Sequence, residues 1–383
     1  MKIALVHKRY DRLGGAEWDC HELSHQLAAR GHEVHLVVGE CRVDPPPTMT
    51  VHRVPVVRAG KVAKLASFAA FAPRVWKRIG ADVVIGFGRT VGWDLFRASG
   101  GVHKRYLERV ARERGRLKDV RQRLSPYHRL MLAIERRQYA ADAHGMVLAV
   151  SDLSRQEILD TYPAMPPARV AVLHYGVDIE RFHPARRAAD GTALRAELGL
   201  APSQPVVLLV GTGFRRKGVD TLVEIWRREP PAGAALVVVG NDQYLAQRQR
   251  TARELPGPVI FTGPRRDVER CYAAADLFAL PSLHEGCPVA ILEALASGLP
   301  VVTSRATGAP EILMGPLADL LVDDPRDADT VAARLRIGLD PVRRPTLVAA
   351  ARAAGCANAL DVAVDRLEAW CRWAATARER DVA

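Results

Sequence analysis

Residues 284–303 read His-Glu-Gly-Cys-Pro-Val-Ala-Ile-Leu-Glu-Ala-Leu-Ala-Ser-Gly-Leu-Pro-Val-Val-Thr. The segment predicts a loop, a helix that begins near Val289, a turn at Gly298 and a buried strand. Glu293 follows Glu285 by eight residues, which at about 3.6 residues per turn returns to nearly the same helix face. Backbone N–H groups at a helix start attract an anion. The two carboxylates can therefore meet hydroxyl groups on either side of that anion, which suits a diphosphate that carries a sugar at each end.

The same pattern of short apolar runs and amphipathic stretches extends through most of the chain. Strand candidates lie at residues 2–6, 34–38, 51–54, 83–86, 146–150 and 170–173, and then at 205–210, 235–239, 258–261, 277–280, 300–303 and 319–322. This alternation predicts an α/β protein with two doubly wound, Rossmann-like domains. Ligands bind beyond the carboxyl ends of such strands. We therefore expect the functional loops of both domains to follow strands and to face a cleft.

The length of 383 residues also favours two domains, because single cores rarely grow this large. Glycine and proline residues punctuate the segment that ends at Pro205. We predict a first domain over residues 1–175, a second over 176–350, and a C-terminal helix within 351–383 that packs back on the first domain.

The composition favours a folded protein without a membrane span. Hydrophobic residues make up 48% of the chain, and no apolar run approaches the roughly 20 residues needed to cross a bilayer. The strand-like run from Ile3 begins too early for a signal peptide to precede it. The six cysteines include no Cys-x-x-Cys pair and no metal-like cluster with histidine. We expect reduced thiols in a cytoplasmic protein.

The net charge of +12 is concentrated in one segment. Residues 104–137 contain 12 Lys and Arg against 4 Asp and Glu. Apolar residues recur there at helical spacing, so we predict a helix over 104–137 with a cationic face. That face suits an anionic membrane surface, although a solvated helix would look the same. Nucleic acid is the less favoured partner, since the chain contains no nucleic-acid-binding motif.

Two further loops follow predicted strands. Gly14 and Gly15 lie between the first strand and a helix, where glycines allow a phosphate to approach the backbone. The loop from Gly211 to Gly218 contains Gly213 and then Arg215, Arg216 and Lys217. Guanidinium groups bind phosphate through two N–H groups, and lysine adds a compact charge. A surface turn explains either loop when it is taken alone.

Three other positions have two interpretations each. Arg266 and Asp267 follow a strand and could help to hold a nucleobase, but Asp267 is equally an ordinary N-cap. Asp327 and Asp329 match a metal-nucleotide Asp-x-Asp pattern, but we expect them to begin a helix instead. His103 either contacts substrate or is structural. We predict no bound metal.

Taken together, these motifs resemble the retaining glycosyltransferase family 4, which has the GT-B fold. The residues that carry the resemblance are Gly14-Gly15, Gly211 with Arg216-Lys217-Gly218, Ala273-Ala274-Ala275-Asp276, Glu285-Gly286, Glu293-Ala294 and Gly298-Leu299-Pro300-Val301. Within that family, the chain is most similar to the enzymes that add glucose to the core of lipopolysaccharide. The resemblance covers nearly the whole chain.

The resemblance implies a first domain that binds an acceptor and a second that binds a nucleotide sugar. Arg216 and Lys217 match the diphosphate clamp, Glu293 the carboxylate that holds the ribose, and Glu285 the one that contacts the donor sugar. Gly15 matches a backbone contact near the phosphates. The remaining donor-side residues are Gly14, Gly213, Arg266, Gly286, Cys287, Pro288, Val289 and Ala290.

On the acceptor side we expect Asp19 and His103. The implied donor is UDP-glucose, and the implied acceptor is an inner-core heptose at the inner face of the bacterial inner membrane. The alternative is another hexosyltransferase of the same fold, a mannosyl- or galactosyltransferase that acts on a different cell-envelope glycan. The reaction implied is a retaining transfer that needs no metal or other cofactor. Two departures are Gly100, where relatives often carry an acidic residue, and His174, where they often carry asparagine.

Overall fold

The computed structural model describes residues 1–12, 15–114, 122, 124–142 and 145–382. The chain separates into two compact units. One contains Met1–His174 together with Ala363–Ala383, and the other contains Tyr175–Val362. Residues 351–362, which we grouped with the C-terminal helix, therefore belong to the second unit.

The first unit is built on a parallel sheet. Its strands are β1 (Lys2–Tyr10), β2 (Glu33–Cys41), β3 (Met49–Arg53), β4 (Val83–Phe87), β5 (Leu95–Ala98), β6 (Met146–Ala149) and β7 (Val170–Val172). Over the residues described, their order is β3-β2-β1-β4-β5-β6-β7, and every pairing is parallel. Its helices are α1 (Gly15–Ala29), α2 (Gly60–Trp76), α3 (His103–Arg114), α4 (Pro126–Gln138) and α5 (Asp152–Thr161).

Strand β5 was missed in the sequence because a charged residue interrupts its apolar run. Arg97 is 1% exposed, and its Nε donates to the Asp19 carboxylate on α1 over 2.8 Å. The same guanidinium donates to the backbone carbonyls of Leu173 and His174. A charge can be buried when it is paired and hydrogen-bonded in this way. The strand therefore keeps an arginine that a hydrophobicity pattern excludes.

The second unit repeats the architecture. Its strands are β8 (Val206–Val210), β9 (Ala235–Val239), β10 (Val259–Gly263), β11 (Leu277–Leu280), β12 (Val301–Ser304) and β13 (Leu321–Val322). They form a parallel sheet in the order β10-β9-β8-β11-β12-β13. Its helices are α6 (Asp190–Glu197), α7 (Val219–Arg228), α8 (Leu245–Ala252), α9 (Val268–Ala274), α10 (Val289–Ala296), α11 (Ala328–Leu339) and α12 (Arg344–Ala357). The prediction of two doubly wound α/β domains is confirmed.

A charged cluster fixes the amino edge of this second sheet. Asp276, directly before β11, is contacted by Arg187 at 2.5 Å, Arg195 at 2.6 Å and Arg344 at 2.8 Å. The carboxylate also accepts from the Val206 N–H at the start of β8, over 2.9 Å. Its oxygens therefore join two neighbouring strands to flanking segments of the unit.

The last helix, α13 (Leu360–Val382), contacts the end of α1 and the turn that follows it. Arg30 forms an ion pair with Asp365, and His32 lies 2.9 Å from the Glu368 carboxylate. Cys371 is fully buried on the same helix. These contacts explain why the end of the chain belongs to the first unit.

The basic segment 104–137 is not one continuous helix. Helix α3 is described as far as Arg114, and α4 begins at Pro126 after an extended Ser125. Proline is favoured at the first helical position but cannot donate within a helix, so Pro126 starts a new element. Residues 115–121 and 123 lie outside the described part of the chain. No helix in the described ranges has both the length and the apolar character to cross a membrane.

Candidate active site

The carboxyl edge of the second sheet brings loop backbones unusually close together. A Cβ atom at Gly240, after β9, would lie 1.8 Å from the carbonyl oxygen of Gly211, after β8. Gly218 has a φ of +79°, and a Cβ there would meet the Pro281 carbonyl oxygen at 2.1 Å. Only glycine fits these positions. The loop 211–218 is therefore held against its neighbours, which fixes the backbone positions from which its side chains extend.

The loop before α10 is fixed by backbone pairing. The N–H of Glu285 donates to Ala306 over 3.2 Å, and its carbonyl accepts from Gly308 over 3.1 Å. The N–H of Leu283 donates to the Arg216 carbonyl over 2.8 Å. This pairing joins the loop both to the segment after β12 and to the cationic loop after β8.

Three of the charged residues singled out in the sequence meet here. The Glu285 carboxylate forms ion pairs with Arg216 and, over 2.6 Å, with Lys217 Nζ. The Glu285 and Lys217 side chains are 14% and 10% exposed, whereas Arg216 is 49% exposed. Arg216 Nη1 also donates to the His284 carbonyl over 3.3 Å. Two cations thus share one carboxylate, which leaves a net positive charge at the edge of the sheet.

The electrostatics of Lys217 follow from its burial. Desolvation, with a further contribution from the Arg216 charge, lowers the pKa of Lys217 to about 7, while the adjacent Glu285 carboxylate favours the protonated amine. Desolvation also lowers the pKa of Arg216. A phosphate placed against both groups would favour their charged forms, so the cluster is suited to bind an anion.

Glu293 lies on α10 and points to a different partner. The Tyr272 hydroxyl donates to Glu293 Oε2 over 2.6 Å. Burial raises the pKa of Glu293, whereas the Tyr272 hydrogen bond and the Arg181 charge oppose that rise. Sequence reasoning did not identify Tyr272, although it immediately precedes the Ala273–Asp276 motif. The Tyr272 hydroxyl therefore orients the Glu293 carboxylate.

Between the two glutamates, residues 286–288 lead into α10. Cys287 is 9% exposed, and Pro288 is the N-cap residue with extended backbone and no side-chain capping bond. Val289 and Ala290 form the first turn, where N–H groups have no partner within the helix. Gly286 and this helix start therefore lie between Glu285 and Glu293, as the sequence predicts.

Two other residues that we expect on the donor side lie on neighbouring loops. Gly213 has a φ of +73°, and its N–H donates to Asn241 over 3.3 Å. Arg266 is exposed after β10. Asp267 is the N-cap residue of α9 but makes no capping bond, because its carboxylate binds Arg265 and Arg270 at 2.8 and 2.9 Å. Asp267 therefore occupies the N-cap position without making the capping hydrogen bond.

Asp327 caps α11, as expected. Its carboxylate accepts from the N–H groups of Asp329 and Thr330 over 3.1 and 3.2 Å. Within the described ranges, no group of three or more His, Cys, Asp or Glu side chains is placed to hold a metal ion.

In the first unit, Gly14 lies outside the described residues, and Gly15 is the exposed first residue of α1. Asp19 is 3% exposed, and its carboxylate is bound by Arg97. This contact gives Asp19 a structural role.

His103 begins α3, where a buried carboxylate caps the helix. Glu135 on α4 is fully buried, and it accepts from the N–H groups of His103 and Lys104 over 2.6 and 3.1 Å. The His103 ring lies 3.1 Å from the His128 ring nitrogen. Burial, followed by the charges of Arg89 and His128, lowers the pKa of His103 to about 4. A neutral imidazole in these contacts favours the structural interpretation of His103.

Comparisons with known proteins identify both units. The family described as Glycosyltransferase Family 4 matches residues 13–181, and the family described as Glycosyl transferases group 1 matches residues 204–340. The lipopolysaccharide glucosyltransferase WaaG of Escherichia coli K12 is 28% identical over 316 residues, which cover 80% of this chain and 81% of WaaG. The chain is therefore a glycosyltransferase with a family 4 domain followed by a group 1 domain.

Solved structures agree with this assignment of the glycosyltransferase. The crystal structure of WaaG has a TM-score of 0.78 at 26% identity, with coverage of 95% of this chain and 98% of WaaG. A structure of Anabaena HepE in complex with UDP and glucose has a TM-score of 0.68 at 20% identity and covers 96% of this chain and 98% of HepE. The glycosyltransferase therefore has the GT-B fold.

Other relatives match this glycosyltransferase over a shorter span. The alpha-maltose-1-phosphate synthase of Mycolicibacterium smegmatis is 34% identical over 206 residues, which cover 51% of this chain and 53% of the synthase. The family therefore includes proteins of more than one named activity.

Proposed function

We propose that this glycosyltransferase moves glucose from UDP-glucose to an inner-core heptose of lipopolysaccharide with retention of the anomeric configuration. The convergence of Arg216, Lys217 and Glu285 beside the start of α10 is the observation that carries the donor half of this proposal. The choice of glucose and of a lipopolysaccharide acceptor rests on the similarity to WaaG over most of both chains.

The donor fits the geometry as follows. Its diphosphate would lie against Arg216, Lys217 and the first-turn N–H groups of α10. Glu293 would accept from the ribose hydroxyls, with its carboxylate oriented by Tyr272. Glu285 would turn from its two cations to the hydroxyls of the transferred sugar as the diphosphate takes over those cations.

The proposed chemistry follows from the placement of charge. The acceptor hydroxyl attacks the anomeric carbon on the face that the diphosphate leaves, and a leaving phosphate oxygen takes the hydroxyl proton. Catalysis then rests on orientation and on stabilising the developing charge of the nucleoside diphosphate. Arg216 and Lys217 supply that charge, so we propose that the reaction needs no metal. Full activity in excess EDTA is the expected result, and an absolute requirement for Mg²⁺ would contradict it.

A panel of donors tests the sugar assignment. Purified protein is mixed with UDP-glucose, UDP-galactose or GDP-mannose and with a truncated lipopolysaccharide core as acceptor. Mass spectrometry identifies the product, nucleotide release gives the rate, and NMR of the new linkage gives its anomeric configuration. We expect the fastest transfer from UDP-glucose with an α-linkage. Faster transfer from GDP-mannose or UDP-galactose would instead favour another hexosyltransferase activity.

We also propose that the basic segment 104–137 brings the enzyme to an anionic membrane surface. The charge excess of that segment supports the proposal, since each basic residue near such a surface contributes about 1 kcal/mol. Replacing Arg109, Arg112, Arg116 and Lys118 by glutamine should weaken binding to phosphatidylglycerol vesicles, and added salt should weaken the binding of the parent. Equal binding by both proteins would contradict the proposal. Binding of oligonucleotides at moderate salt would favour nucleic acid as the partner instead.

A further inference from the structure

A second cationic site lies in the first unit, at the carboxyl ends of β1 and β2. A cavity of about 380 Å³ is lined there by Glu40, Arg58, Gly60, Lys61 and Lys64. Three of these five residues are cationic, and one is acidic. The cavity lies at the edge of the sheet where ligands of parallel α/β sheets bind.

The single carboxylate of this cavity is already occupied. Glu40 accepts from Lys64 Nζ over 2.7 Å and from Arg42 Nε over 2.9 Å. These two partners lower the pKa of Glu40 to about 2, so it is fully ionised at neutral pH. The buried Arg9 Nε atom lies 4.0 Å from the Glu40 carboxylate and has no hydrogen-bond partner in the described part of the chain. Glu40 therefore balances only part of the positive charge that surrounds it.

Two of the cations at the cavity lack an ion-pair partner among the described residues. Arg58 and Lys61 are exposed at the cavity, and neither forms an ion pair with any residue in the described part of the chain. Burial, followed by the charges of Arg9 and Lys64, lowers the pKa of Lys8. Cations that lower one another's pKa in this way gain most from an external anion.

The backbone adds to this charge and fixes its position. Helix α2 begins at Gly60 with no side-chain capping bond and no acidic residue in its first turn. Its N–H groups and dipole therefore reinforce Lys61 and Lys64. The loop before α2 is held in place because the Val57 N–H donates to the buried Ser67 hydroxyl over 2.9 Å.

We infer that this cavity binds an anionic group, a phosphate or a carboxylate, carried by the acceptor glycan. The inference rests on the proposed function, which assigns the diphosphate of the donor to Arg216 and Lys217 in the other unit. A concave site of this size fits a single substituent of a sugar better than it fits a flat lipid surface. The segment 104–137 remains the proposed membrane contact.

The test is a binding measurement that needs no catalysis. Delipidated, truncated core oligosaccharide is titrated into the full-length protein by calorimetry, without donor. Four samples are compared: the intact oligosaccharide, the same after phosphatase, the same after reduction of its carboxyl groups, and the same after both treatments. The variant is Arg58→Ala with Lys61→Ala. The control is Lys77→Ala with Arg78→Ala, which removes two exposed cations beyond the other end of α2.

We expect the Arg58/Lys61 variant to bind intact oligosaccharide at least about tenfold more weakly than the parent, because charge-assisted hydrogen bonds are lost. The Lys77/Arg78 control should bind like the parent. Phosphatase treatment should remove the difference between parent and variant if the group is a phosphate, and carboxyl reduction should remove it if the group is a carboxylate.

Three outcomes would overturn the inference. Equal binding of intact oligosaccharide by parent and variant is the first, and a difference that survives both treatments applied together is the second. The third is that the variant loses binding to phosphatidylglycerol vesicles but not to oligosaccharide. Sugar transfer by the same preparations is scored separately. Absence of transfer would contradict the proposed function, while a charge-dependent difference in oligosaccharide binding would still support the site.

Discussion

Asp276 and Glu285 are two carboxylates of the second unit that are both surrounded by cations, and they differ in where those cations are anchored. Around Asp276, Arg195 also donates to the carbonyls of Ala274 and Gln204 over 2.8 and 2.7 Å. Around Glu285, Lys217 depends on that carboxylate, and Arg216 adds one long bond to a carbonyl. Hydrogen bonds that end on the backbone make a cluster structural. Cations that share a carboxylate but make few bonds to the backbone are available to a ligand.

The largest expected effect is a difference between the two carboxylates in their contribution to the free energy of unfolding. Asp276→Ala leaves three guanidinium groups without their anion and should lower the free energy of unfolding by about 3–5 kcal/mol. Glu285→Ala should lower it by less, because Arg216 is half exposed and Lys217, whose pKa is lowered to about 7, can release its proton. Urea denaturation of both variants measures the difference. Equal losses would show that the Glu285 cluster is structural as well.

The second effect concerns catalysis. Lys217→Ala should lower kcat by about 10²–10³, or about 2.7–4 kcal/mol, because a contact to the leaving diphosphate is lost. The exposed neighbour Arg215 supplies a matched control, and Arg215→Ala should leave kcat nearly unchanged. Steady-state kinetics with saturating donor give both values. An unchanged kcat for Lys217→Ala would remove this residue from the proposed diphosphate site.

The third effect is a dependence of UDP binding on pH. Without ligand, the pKa of Lys217 is lowered to about 7 by burial and Arg216, and a bound diphosphate would raise it. At a pH between the pKa values of free and UDP-bound Lys217, the binding of UDP is accompanied by the uptake of a proton. The affinity for UDP should therefore fall by up to about tenfold, or 1.4 kcal/mol, for each pH unit above 7. Calorimetry at pH 7 and pH 8 in two buffers measures the affinity and the proton uptake. The same fall in a Lys217→Met variant would assign the titration to another group.

The smallest effect concerns Asp327, an exposed carboxylate whose hydrogen-bond donors are backbone N–H groups. Asp327 accepts from two N–H groups at the start of α11, so Asp327→Ala should lower the free energy of unfolding slightly, because two helix-start donors lose their acceptor. Thermal denaturation measures this loss. Transfer activity should keep the parent's response to added Mg²⁺, and a change in that response would revive the metal interpretation of the Asp-x-Asp pattern.

Much of this molecule could be predicted from local sequence. Parallel strands in the second unit are apolar runs that end at glycine or polar residues, so their positions followed from composition alone. The spacing of Glu285 and Glu293 placed them on either side of a helix start, because helical geometry is regular. Arg216 and Lys217 were identified because cations after a buried strand must lie at its carboxyl end.

What could not be predicted depends on partners that are distant in sequence. Strand β5 was missed because the burial of Arg97 requires Asp19, 78 residues earlier. The burial of Asp19 was not expected for the same reason, because its partner lies 78 residues later in the chain. The break at Pro126 was overlooked because the apolar repeat continues across it. Tyr272 was missed because its contact with Glu293 spans 21 residues.

The capping of α3 by Glu135 has a consequence for hydrogen exchange. Amides in the first turn of a helix ordinarily exchange fast, because they lack an intrahelical acceptor and water reaches them. The amides of His103 and Lys104 donate to a carboxylate that is fully buried, so their exchange should be slow and should require opening of the contact between α3 and α4. These two amides would therefore report, at residue resolution, how often the interior of the first unit opens.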